Sequence, residues 1–125
     1  MKHLHTALKT VLALSLLACA SVAAAQPKLT QGTVTDEKGM SLYVWDNELT
    51  APGKILCTGP CTITWPPMLA KPGAKAFDDF TLMTRDDGTQ QWAHKGRPLY
   101  HSANDRQPGD HKGDGFRGIW HLVKP

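Results

Sequence analysis

Lys38-Gly39-Met40-Ser41-Leu42-Tyr43 and Lys95-Gly96-Arg97-Pro98-Leu99-Tyr100 are two readings of one pattern, K-G-x-x-L-Y, set 57 positions apart. The parallel continues downstream. Pro52-Gly53 follows Tyr43 by nine residues and Pro108-Gly109 follows Tyr100 by eight, while Trp65 and Trp120 lie 22 and 20 residues beyond their tyrosines. Ordered landmarks at nearly constant spacing mark an internal repeat. Residues 26–125 therefore read as two diverged copies of one unit, repeat one over about 32–70 and repeat two over about 84–125.

Each copy has β character. Gly32-Thr33-Val34-Thr35 runs through the polar turn Asp36-Glu37-Lys38-Gly39 into Leu42-Tyr43-Val44-Trp45, a strand, turn and strand. In copy two, Gln90-Gln91-Trp92-Ala93-His94 passes through Lys95-Gly96-Arg97-Pro98 into Leu99-Tyr100-His101. Nine prolines and eleven glycines, spread along the chain, interrupt any long helical window, and Ala74 to Met83 alone has room for a short helical turn. The expected fold is a small all-β single domain, built from two hairpin-based repeats related by a pseudo-twofold axis. Tyr43, Tyr100, Trp65 and Trp120, being duplicated, should meet in a shared core, and each phenol should find a carboxylate in Glu48 or Asp105. Trp45 and Trp92 have no aromatic counterpart in the other copy and are expected nearer the surface.

The 125 residues carry 14 Lys+Arg against 11 Asp+Glu, a balance that argues against a nucleic-acid binder. The leader reads as an export signal. Lys2, His3, His5 and Lys9 form a basic start, Val11 to Ala18 is a short apolar run, and Ala23-Ala24-Ala25 supplies small residues for a peptidase site. Cleavage there gives a signal peptide of residues 1–25. The alternative is a lipobox, Leu16-Leu17-Ala18-Cys19, with residues 1–18 removed and Cys19 lipidated. No later segment has the ~20 apolar residues of a spanning helix. In an oxidising envelope compartment Cys57 and Cys61, separated by Thr58-Gly59-Pro60, most simply form a local disulfide.

Leu42-Tyr43-Val44-Trp45 with Glu48, Cys57 and Cys61, Trp65-Pro66-Pro67, Arg85-Asp86-Asp87-Gly88, Pro98-Leu99-Tyr100, Asp105, Pro108-Gly109-Asp110 and Trp120 resembles the secreted-repeat bacterial lipoproteins of unknown function, defined by a Tyr-x-aromatic-x-x-Asp motif. Copy one carries Glu48 in place of the motif's Asp, and copy two carries Ser102 in place of its aromatic residue. The resemblance implies an envelope protein, often lipid-anchored, with two repeats and no established activity.

No catalytic motif is present. The adjacent carboxylates Asp78-Asp79 and Asp86-Asp87 alternate faces on a strand and suit turns better than acid–base pairs. His94, His101 and His111 cluster in copy two; a loop over residues 95–98 would put His94 and His101 on one sheet face, where they could join Met40, Met68, Met83 or the cysteines around a soft metal. The expectation is thus a non-enzymatic binding or structural module of the periplasm or cell envelope, free or anchored to the outer membrane, that recognises an unknown envelope component without a cofactor. The alternative is a periplasmic copper-handling protein.

Overall fold

The computed structural model describes residues 25–125 and, before them, residue 13 alone; the expected export signal and Cys19 lie outside the described residues. The described chain forms the strands β1 (Lys28–Thr30), β2 (Thr33–Thr35), β3 (Tyr43–Trp45), β4 (Phe80–Thr84), β5 (Gln90–His94), β6 (Arg97–Pro98) and β7 (Trp120–Leu122). All pairings between them are antiparallel: β1 with β2, β3 with β7, and β4-β5-β6 in that order. Isolated bridges Tyr43↔Tyr100, Pro67↔Tyr100 and Leu69↔Gln91 stitch these small sheets together. The all-β single domain is as expected, and it contains a Cys57–Cys61 disulfide with a Cα–Cα distance of 5.3 Å.

Turn chemistry sets the register. Gln31-Gly32 between β1 and β2, and Lys95-Gly96 between β5 and β6, both have positive φ at each residue (50 and 81; 50 and 77), the twist that closes a two-residue hairpin. The second hairpin is therefore tighter than a loop over 95–98. His94 faces Arg97 and Ala93 faces Pro98, so Pro98 sits within a strand. Asp86-Asp87-Gly88 turns β4 into β5, with Gly88 at φ 85 and Asp87 Oδ1 accepting from the Thr89 amide and hydroxyl.

Helical structure falls where it was not expected. Ala74–Met83 forms no helix, whereas Cys61–Thr64 makes a single α-turn and Asp46–Thr50 and Phe116–Gly118 make 3-10 turns. One turn is all that Pro66 permits after Trp65, because a residue preceding proline is driven out of the helical region.

Strand alternation divides the interior into two cores. Leu42, Val44 and Leu99 point into a hydrophobic cluster with Val34, Met68, Phe80, Trp92 and Val123. Tyr43 and Tyr100 point the other way, into a cluster with Cys57, Trp65 and Trp120. The same cycle of three backbone bonds occurs on each side. Val34 N–H donates to Val123 (2.8 Å), Val123 to Leu42 (3.1 Å) and Leu42 to Val34 (3.2 Å). Trp92 likewise donates to Met68, Met68 to Leu99 and Leu99 to Trp92, each at 2.9 Å. In each cycle the third residue comes from the segment that ends the other copy. Trp92, expected near the surface, is only 1% exposed. The reason is its place on the central strand of the β4-β5-β6 sheet, where it holds the position that Val34 holds in copy one. Trp45 is half-buried and stacks on Trp120 at 5.2 Å.

Candidate functional site

Tyr43 and Tyr100 exchange both backbone bonds, Tyr43 N–H to Tyr100 C=O at 2.8 Å and Tyr100 N–H to Tyr43 C=O at 3.0 Å. Their side chains then cross. The Tyr43 hydroxyl donates to Asp105 Oδ2 and the Tyr100 hydroxyl to Glu48 Oε2, both at 2.7 Å, so the motif tyrosine of each copy is held by the motif acid of the other. Two local turns make this possible: the 3-10 turn after β3 brings Glu48 back beneath Tyr100, and the turn closed by Asp105 N–H to Ser102 C=O presents Asp105 to Tyr43. All four residues are buried. Burial first, and then the facing carboxylate, push both phenols well above the usual phenol range. They are permanent donors, unsuited to proton abstraction at neutral pH.

Around these locks lies an aromatic stack. Trp120 lies flat between Trp65 (3.9 Å, interplanar 4°) and Trp45 (5.2 Å, 3°), while Tyr43 meets Trp65 edge-on and Tyr100 meets Trp120 edge-on. Such pairs contribute about 0.5–1.5 kcal/mol each beyond their buried area. The disulfide clamps the loop beside them, and Arg85 ties that loop to β5 by donating to Cys57 C=O (3.0 Å) and Gln91 Oε1. Nothing in the spacing of the sequence marks Arg85 or Gln91 for this role.

The histidines are dispersed. His94 packs on the Phe80 ring (4.9 Å), His101 Nε2 lies 2.9 Å from Asp36 Oδ2, and His111 is exposed beside the Thr35–Ser41 turn. Among the described residues no group of three or more His, Cys, Asp or Glu is placed to hold a metal ion. The structure therefore does not bring His94, His101 and His111 together, because the two-residue hairpin sends His101 away from β5 toward Asp36. Cys57 and Cys61 are committed to their disulfide.

A groove of about 590 Å3 opens between the turn after β3 and β4. Glu48, Leu49 and Pro52 form one wall, and Thr81 to Thr84 with Lys95 and Arg97 form the other. Leu49 is 54% exposed in it. Glu48 is 5% exposed, and its Oε1 has no hydrogen-bond partner among the described residues. Burial raises the Glu48 carboxyl above its usual range, against the pull of the Leu56 and Cys57 amides, the Tyr100 hydroxyl and Arg85. β4 is the outer strand of its sheet. Lys95 N–H bonds Asp79 C=O and Arg85 N–H bonds Thr89 C=O, so by strand alternation the backbone groups of Leu82 and Thr84 point away from β5.

Among the described residues no helix is long and apolar enough to cross a membrane. No curated protein and no solved structure matches the chain. Residues 81–124 match the family model described as a secreted repeat of unknown function, the family that the quoted residues resemble.

Proposed function

We propose that the protein works in the cell envelope as a non-enzymatic binding module whose partner supplies an extended peptide segment. The free edge of β4, opening on the groove, carries this reading. An edge strand with unpaired N–H and C=O groups is a template for strand addition. Leu82 and Thr84 offer such groups, and the aliphatic wall of Leu49, Pro52 and Met83 stands ready for side chains of the added strand. The motif residues are consumed in the core as fasteners, which argues against their use as reactive groups. Of the carboxylates in β4's flanking turns, Asp87 is spent on local hydrogen bonds with Thr89. A periplasmic location, with or without lipid on Cys19, fits a disulfide-clamped domain of this size.

The test is an NMR titration of 15N-labelled residues 26–125 with a library of end-blocked pentapeptides. Shifts clustered at residues 48–53 and 81–84 are expected. The Thr84→Pro variant deletes an outward N–H at an exposed edge position, leaves the ladder to β5 intact and should abolish them. Shifts that persist in Thr84→Pro, or that appear only with cell-wall glycan fragments, overturn the peptide reading.

A further inference from the structure

We infer that a second cavity, on the β7 side of the β5–β6 turn, is a site for a phosphate-type oxyanion. It has a volume of about 200 Å3, and its polar lining is basic throughout: His94, Lys95, Arg97, His121 and Lys124. Val44 and Val123 supply an apolar floor, which lowers the local dielectric and strengthens any charge interaction above it. Among the described residues no carboxylate lines the cavity.

The neighbouring acids leave this character in place. Asp46 bonds two of the five groups, Arg97 Nη2 at 3.1 Å and His121 Nε2 at 2.8 Å, and so fixes both side chains at the rim. Asp79 acts on His94 from outside the lining. Lys95 and Lys124 carry no ion pair among the described residues. The independent pointer is Arg97. It lines the cavity, and its buried Nε has no hydrogen-bond partner among the described residues, a costly state unless something supplies an acceptor. His94 lines the same cavity and is 7% exposed. Burial and Lys95 hold its midpoint below the usual histidine range. A guanidinium, two ammonium groups and an imidazole N–H converging from two sheets suit a tetrahedral oxyanion better than a planar carboxylate, which a single Arg fork would satisfy.

The site shares Lys95 and Arg97 with the groove but is otherwise separate, so residues 121–124 report on it and residues 81–84 do not. Inorganic phosphate and vesicles of phosphatidylcholine with or without phosphatidylglycerol are the probes, read on the His94 and His121 ring resonances. Saturable shifts with inorganic phosphate are expected, together with a rise in the His94 midpoint, because a bound anion favours the imidazolium. Lys95→Asn, which tolerates the positive φ of that turn, combined with Lys124→Ala should weaken binding by about fivefold or more, while Lys71→Ala should not. Shifts confined to phosphatidylglycerol vesicles, with the same dependence on Lys95 and Lys124, identify a lipid headgroup as the source of the anion. No saturable shift with either probe, or one unchanged in the double variant, overturns the inference.

Discussion

The two tyrosine–carboxylate locks have the same 2.7 Å bond, yet their surroundings differ. Asp105 uses both oxygens: Oδ2 takes the Tyr43 hydroxyl and Oδ1 takes the Lys112 amide at 2.9 Å. Tyr43 in turn accepts the Gly113 amide at 3.2 Å. At the other lock, Oε2 of Glu48 receives both the Tyr100 hydroxyl and the Leu56 amide, and Oε1 has no partner. The first lock is a closed network that fixes the 105–113 loop. The second faces the groove and leaves one acceptor unspent. The two fasteners are built alike, and Glu48, one methylene longer than Asp105, leaves one oxygen without a partner among the described residues while standing in the groove wall.

The sharpest way to break the closed lock is Gly113→Ala. A Cβ there would stand 2.9 Å from the Trp65 ring and 3.0 Å from Tyr43 Cε1, and neither ring can swing away because Trp65 is stacked on Trp120. Overpacking against rigid neighbours should cost about 3 kcal/mol, read as a drop in the denaturant midpoint at unchanged slope. A cost under about 1 kcal/mol would mean that the 105–113 loop yields and the lock is looser than its geometry implies. Removing the hydroxyls compares the two locks directly. Tyr43→Phe strands both Asp105 Oδ2 and the Gly113 amide and should cost about 2 kcal/mol, whereas Tyr100→Phe leaves Oε2 bonded to Leu56 and should cost about 1 kcal/mol. Equal losses would show that the two networks are energetically alike.

Much of this is legible in the sequence alone. The K-G-x-x-L-Y pair located the hairpin positions and the two tyrosines, because a tight turn followed by alternating residues has one workable face pattern. The disulfide followed from spacing and compartment. The crossing of the locks was not legible: nothing local tells Tyr43 to choose Asp105 over Glu48, five residues along its own chain, since that choice depends on how the copies pair. The histidine grouping failed for a similar reason. A two-residue loop in place of a four-residue one changes the register, and the segment beyond β6 then pairs with residues 66–67 of copy one. Trp92 misled because the absence of an aromatic counterpart says nothing about burial when Val34 can hold the equivalent core position.

Glu48→Gln tests the open lock with the smallest expected effect. Burial raises the folded-state midpoint of Glu48, so its contribution to stability is complete below the unfolded midpoint and is lost as pH rises through the folded one. His94 runs in the opposite sense: its depressed midpoint favours the folded state above the usual histidine range and costs stability as pH falls. The difference curve between wild type and Glu48→Gln isolates the glutamate, because both proteins share His94. Gln keeps one acceptor for Tyr100 and Leu56 and stays uncharged at every pH. The variant should therefore gain on the wild type by under about 1 kcal/mol between pH 4 and pH 7, measured by denaturant unfolding at several pH values. A flat difference curve would mean that the Glu48 carboxylate is solvated through the groove, and that its unpartnered oxygen is served by water that the closed lock excludes.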